Sequence, residues 1–181
     1  MSRRAVLLRA VNVGDTSLKM ADFRVSLGRA GATEAETIGA AGTAVVEVPA
    51  SITDDRLEAE AVAALEKQVG FVTEVFVRGA SEWDRVIRSN PFAKEAEADP
   101  ARLVVTTLRS APSASAWARA EQAIVGRERI AAGGRHAYVV YPDGQGRSKL
   151  TLKVLEKSLG VTGTSRNWNT VLTLRARLGP G

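Results

Sequence analysis

Apolar residues recur along this chain with two periods, two and about 3.6 residues, and the changes between them mark out its elements. Ala5 to Val11 is an apolar run of strand length, and the polar loop Asn12 to Lys19 follows it. Met20, Phe23 and Leu27 then fall at i, i+3 and i+7, which predicts a helix closed by Gly31. Glu36 to Ala40 and Ala44 to Val48 flank Gly42 and predict a hairpin. Thr53 suits the N-cap of the next helix, Asp54 and Asp55 suit its positive first turn, and Leu57, Ala61 and Leu65 form its buried stripe before Gly70. Phe71 to Val77 closes this part of the chain as a strand.

The order βαββαβ is that of a ferredoxin-like unit, in which an antiparallel sheet buries one face beneath two helices. It recurs. A helix over Ser81 to Arg88 turns Trp83, Val86 and Ile87 inward, and the Pro-bounded polar stretch Asn90 to Pro100 reads as a linker. Leu103 to Leu108 is a strand, Ser115 to Val125 a helix bearing Trp117 and Ile124, and Arg127 to Ala132 pairs with His136 to Tyr141 around Gly133-Gly134. A helix from Lys149 to Leu159 follows, with Leu152, Leu155 and Leu159 on one face and Gly160 at its end. The predicted fold is α+β: two tandem ferredoxin-like βαββα(β) units with antiparallel sheets plus a C-terminal helix. Residues 1–89 form the first unit with an extra helix, 90–100 the linker and 101–181 the second unit. The repetition is one of element order only.

Composition narrows the classes. The chain has 181 residues, 45% of them hydrophobic and 25% charged, enough for one compact core or two small ones. It has no cysteine, which excludes disulfides, thiolate metal sites and cysteine nucleophiles. No apolar run approaches 18 residues, and Arg9 interrupts the segment after Arg3 and Arg4 too early for a secretory signal, so a cytoplasmic protein with no membrane partner is expected. The net charge of +5 is uneven. Residues 1–126 carry 15 Lys and Arg against 17 Asp and Glu, whereas residues 127–181 carry 10 against 3, a balance of +7. That surplus suggests an anionic partner, although 19 of the 25 basic residues are arginine, a bias that codon composition also produces.

The basic surplus coincides with the unusual stretch Tyr141 to Thr170. Gly144 and Gly146 bracket a turn, Arg147, Ser148 and Lys149 follow it, and Ser148 reads as an N-cap. Lys149, Lys153 and Lys157 recur four residues apart. A helix start offers free N–H groups and the positive end of its dipole, so this loop suits an oxyanion. Eleven helical residues span roughly 16 Å, and an extended return over Val161 to Arg166 covers roughly 20 Å. The knot Thr164 to Thr170 therefore returns beside the first turn, with Asn167 capping a closing helix. Arg166 then offers a bidentate guanidinium, and Asn167 and Asn169 offer donors and acceptors. The plainer reading stays open beside this one: Ser148 and Asn167 are ordinary caps, lysines on one face usually meet solvent, and Trp168 with Val171, Leu172 and Leu178 continues an apolar stripe.

The segments YPDGQGRSKLT and GTSRNWNTVLTL, with LLRAVNVGDTSLKMADFRVSLGRAG near the N-terminus, resemble the domain-of-unknown-function 1697 family of small bacterial proteins. The resemblance implies a shared fold and carries no established activity or ligand. Ala10 stands where that family usually shows a glycine, and Asp15 replaces a second glycine. Ile38 to Thr43 stands where the family usually carries a polar Gln-Ser-Gly-Asn turn.

The catalytic inventory is short. His136 is the one histidine and lies in a predicted strand, so a His-based triad or multi-histidine metal site is unavailable. No P-loop and no G-x-S-x-G occurs, and no cofactor or metal is expected. Two principal readings follow. In one, Arg147, Ser148, Lys149, Arg166, Asn167 and Asn169, with Arg9, Asn12 and Lys19 if their loop lies at the same end, hold a phosphate-bearing ligand or a nucleic-acid backbone. In the other, the same cations stabilise developing charge in an enzyme acting on a phosphorylated small molecule, with Asp143 or Asp15 handling protons. A third, an assembly role, requires a large apolar patch on an outer sheet face. Sequence leaves the ligand's identity and the oligomeric state open.

Overall fold

A computed structural model describes residues 1–12 and 17–179. The chain divides into two compact units, Met1–Asp84 with Thr173–Gly181, and Arg85–Leu172.

In the first unit, strands β1 (Ser2–Leu8), β2 (Glu34–Thr37), β3 (Thr43–Val48) and β4 (Val75–Gly79) make an antiparallel sheet in the order β2-β3-β1-β4. Alternation sends Val6, Leu8, Ala44, Val46, Val48, Val75 and Val77 to one face. There they meet Phe23 and Leu27 of helix α1 (Met20–Arg29) and Leu57, Ala61 and Leu65 of α2 (Asp54–Val69). Thr53 caps α2 by accepting from Arg56 N at 3.2 Å, and Gly70 ends it at φ 78.

The first strand stops three residues before the predicted Val11. Ala10 (φ 53) and Asn12 (φ 56) both adopt the left-handed conformation, which breaks the extended ladder.

In the second unit, β5 (Leu103–Leu108), β6 (Arg129–Ala132), β7 (His136–Val140) and β8 (Gly163–Asn167) form a second antiparallel sheet, in the order β6-β7-β5-β8. Its core joins Val104, Leu108, Ala137 and Val139 to Ala120 of α5 (Ala114–Gln122) and to Leu155 and Leu159 of α6 (Leu152–Leu159). The return segment expected as a short strand is a full ladder partner of β5, which completes the second βαββαβ.

The helix α3 (Ala80–Arg88) runs from one unit into the other, as does the closing helix α7 (Trp168–Leu178). The division therefore differs from an expected break at residues 90–100. That stretch contains a short helix, α4 (Ala93–Ala98), whose residues are all outside the core. The last turns of α7 belong to the first unit, where Arg175 donates to both carboxylate oxygens of Asp84 at 2.5 and 3.0 Å and Arg177 pairs with Glu36.

The two units also repeat at the level of residues. Leu8 N donates to Gly42 O (2.7 Å) and Arg9 N to Glu74 O (3.0 Å), and Leu108 N donates to Arg135 O (2.8 Å) and Arg109 N to Thr162 O (2.9 Å). Each first strand thus ends Leu-Arg with the same backbone partners. Each last strand places an arginine opposite the residue three before that leucine, Arg78 across from Ala5 and Arg166 across from Val105. Each then passes directly into a helix.

Candidate functional site

The registers gather the basic motifs at one end of the second sheet. Leu103 pairs with Val140, Arg129 also pairs with Val140, and Val104 pairs with Asn167, so the starts of β5 and β6 and the ends of β7 and β8 share that end. The loop after β7 begins there, and its far end is held there. Tyr141 Oη donates to Leu150 O (3.1 Å), and Ser148 Oγ donates to Glu128 Oε1 (2.5 Å) just before β6. Helices α6 and α7 consequently start at the same end of the sheet.

The details of this loop differ from the expectation. Ser148 is not the cap of α6: its hydroxyl also accepts from Leu150 N (2.9 Å), and the helix begins at Leu152 with Thr151 accepting from Val154 N (3.3 Å). Ser148 instead fixes the loop to Glu128, whose carboxyl group it holds below the usual carboxylate range. Arg147 closes a 3-10 turn over Gln145–Arg147, and both Arg147 and Lys149 are exposed. Neither makes an ion pair among the described residues.

Asp143 is held by a neighbour 16 residues upstream. Arg127 donates to both of its carboxylate oxygens, which keeps the carboxyl below its ordinary pKa, with Arg102 and Arg147 adding to the effect. Arg102 itself donates to Pro142 O (2.6 Å) and to Asp99 Oδ2 (3.3 Å). An ionised, salt-bridged carboxylate near neutral pH is a poor proton donor. Arg102, Arg127 and Glu128 belong to this loop's surroundings without a sequence signal, because nothing local connects them to the turn at Tyr141.

On the closing strand, Asn167 behaves as expected of a cap: its Oδ1 accepts from Thr170 N (3.0 Å) and Thr170 Oγ1 (3.1 Å). Asn169 is exposed on the first turn of α7, and Trp168 is buried. Arg166 departs from the expectation. Its neighbour Ser165 bonds Thr106 Oγ1 on the helix-covered side (2.8 Å), so strand alternation turns Arg166 to the opposite face. There it is 9% exposed and donates to Thr164 Oγ1 (2.9 Å) and Ser165 O (2.8 Å), and desolvation lowers its pKa to about 10. It does not join Arg147 and Lys149 on the solvent side.

Arg9, Asn12 and Lys19 lie in the first unit. Asn12 uses its carboxamide on the backbone: Nδ2 donates to Leu18 O (3.2 Å) and Ala40 O (2.5 Å), and Oδ1 accepts from Leu18 N (2.7 Å). It acts as a loop clamp. Arg9 accepts through its carbonyl from Thr73 Oγ1, and Lys19 is exposed at the start of α1. Asp15 lies outside the described residues.

Comparison with known proteins places the chain among relatives of equally open function. A family model described as "Protein of unknown function (DUF1697)" matches residues 1–138. The chain belongs to this family. No curated protein matches it. Among solved structures, the conserved bacterial protein SP0830 from Streptococcus pneumoniae is similar, with a TM-score of 0.73 and 16% identity over 98% of each chain. At that identity the likeness shows the fold alone.

For a DUF1697 protein, two of the sequence departures acquire a structural meaning. Ala10 occupies a left-handed position, the conformation in which a glycine costs nothing. The Ile38 to Thr43 turn is tied to the strand-one loop by Asn12 and by Gly42, so these two motifs form one structural piece at one end of the first sheet. The Tyr141 to Thr170 stretch lies beyond the residues that the DUF1697 model matches.

Proposed function

We propose that the second unit binds an anionic, phosphate-bearing ligand at the sheet end where α6 and α7 begin. The observation that carries this reading is the exposure of Arg147 and Lys149 there without a salt bridge among the described residues, while the neighbouring cations Arg102 and Arg127 are already engaged by Asp99 and Asp143. Helix starts at the same end add positive dipole ends. Asn169, exposed on the first turn of α7, completes the set of polar groups. Arg166 contributes to the sheet and not to the ligand.

Binding fits this geometry better than proton transfer, because the bond from Arg127 lowers the basicity of the Asp143 carboxylate as well as keeping it ionised. An assembly role finds less support among the described residues, because Ala5, Leu7, Val45, Phe76, Leu103, Val105 and Tyr138, on the sheet faces turned from the paired helices, are all buried. We read each unit as ferredoxin-like and the protein as cytoplasmic. Its cysteine-free sequence suits a reducing compartment, and no helix among the described residues is long and apolar enough to cross a membrane.

Thermal melts with inorganic phosphate, pyrophosphate and nucleotides test the reading. A ligand at 100 times its Kd stabilises by about 2.7 kcal/mol, a rise of roughly 5–10 °C for a chain of this size. The double variant Arg147→Ala, Lys149→Ala should abolish the shift. An undiminished shift in that variant places the ligand elsewhere.

A further inference from the structure

We infer that the exposed face of α6 extends this anion site into a docking surface for double-stranded nucleic acid, held through its phosphates without regard to sequence. The inference rests on the reading above and adds the partner's class. Lys153 and Lys157 lie four residues apart on α6, hence one above the other, and both are exposed while Leu155 and Leu159 are buried beneath the helix. Arg147 and Lys149 precede the helix at its N-terminal end. Together they make a ridge of four cations, none of which is ion-paired among the described residues.

The carboxylates nearest to them in sequence are committed elsewhere. Glu156 accepts from Gly163 N (2.8 Å), and Asp143 is held by Arg127. The ridge lies in the part of the chain, residues 127–181, that carries +7. Eight helical residues span about 12 Å, a length over which a duplex carries roughly seven phosphate charges. Each cation has a phosphate within its reach along such a partner.

Two features select a duplex over other polyanions. The aromatic side chains among the described residues are buried or half-buried, and none lies on α6, so the ridge itself offers no platform on which unpaired bases could stack. A single strand thereby loses its usual source of affinity. None of the exposed large hydrophobics (Met1, Val25, Val72, Val125 and Leu172) lies on α6, so an anionic membrane would meet charge without an apolar anchor.

The test is anisotropy of a short labelled duplex titrated with the full-length protein across a salt series. Four phosphate contacts predict that log K falls against log[salt] with a slope of about −3.6. The variant Lys153→Gln, Lys157→Gln should reduce that slope by about 2 and weaken binding at low salt at least tenfold, with pyrophosphate binding and the thermal melt of the free protein unchanged. Two duplexes of unrelated sequence should bind alike, and phosphatidylserine vesicles should bind more weakly than either. An unaltered slope in the lysine variant, a marked sequence preference, or preferential binding to the vesicles overturns the inference. Pyrophosphate binding without duplex binding removes the α6 surface and leaves the smaller anion site standing. Loss of neither ligand in the Arg147→Ala, Lys149→Ala variant removes both.

Discussion

Replacing Ala10 by glycine tests the backbone of the strand-one loop where the chain departs from its relatives. Ala10 sits at φ 53, a left-handed conformation that costs an L residue roughly 1–2 kcal/mol. Its side chain is exposed, so Ala10→Gly removes that cost without opening a cavity. Glycine's freer unfolded chain takes back about 0.4–1 kcal/mol, which leaves a net gain of about 0.5–1 kcal/mol. For a chain of this size that is a rise in Tm of roughly 1–4 °C. Asn12 provides the internal control, because it shares the conformation (φ 56) but spends its side chain on three hydrogen bonds. At about 1 kcal/mol each these outweigh the relief of strain, so Asn12→Gly should lower stability by about 1–2 kcal/mol. Urea titrations followed by circular dichroism read both variants. Opposite signs at two residues of like backbone are the expected outcome; a destabilised Ala10→Gly would refute the left-handed assignment and the reasoning built on it.

Further predictions concern the second unit and the turn at Gly42. Arg166→Ala should lower Tm, because it removes the hydrogen bonds to Thr164 and Ser165 and a buried stem, worth together about 2 kcal/mol after the relief of desolvation, yet leave phosphate affinity unchanged; a lost affinity at constant stability would return the guanidinium to the site. Gly42→Ala forces a Cβ to within 2.6 Å of Val11 Cγ2 and 2.8 Å of Leu8 Cβ at φ 67, and should destabilise by about 2–4 kcal/mol in a denaturant melt. The Glu128 carboxyl lies below its usual pKa because Ser148 donates to it, so its contribution is complete above the unfolded value of about 4 and is lost as pH falls through the lowered folded value. Glu128→Gln should therefore lower Tm at neutral pH and remove part of the wild-type fall in acid; parallel Tm-against-pH curves would show that the bond contributes nothing.

Much of the architecture was legible because its determinants are local. Thr53 and Gly70 bound α2, Gly160 ends α6 and Asn167 caps α7 through contacts within a few residues of the chain. The errors arose where distant groups decide. Ser148 and Thr151 are both hydroxyl residues suited to open a helix, and the choice between them is made by Glu128, 20 residues upstream, which draws the Ser148 hydroxyl away. Arg166 lies among polar residues with no apolar alternation to reveal its burial, and its side is set by pairing with β5, some 60 residues earlier. The Arg127–Asp143 bond, which changes the meaning of Asp143, has no local signature either. The stretch 93–98 shows the converse: its residues are good helix formers, but none is buried, so no hydrophobic period announced α4.

In the proposed reading, exposed cations and two helix starts at one end of the second sheet form an anion site. The most direct measurement is a titration of the isotopically labelled protein with inorganic pyrophosphate, followed by amide chemical shifts. Saturable shifts are expected, confined to residues 147–151 and to the first turn of α7 near Asn169, and lost in the Arg147→Ala, Lys149→Ala variant. Shifts centred on another part of the chain, or none at millimolar pyrophosphate and low salt, would contradict it.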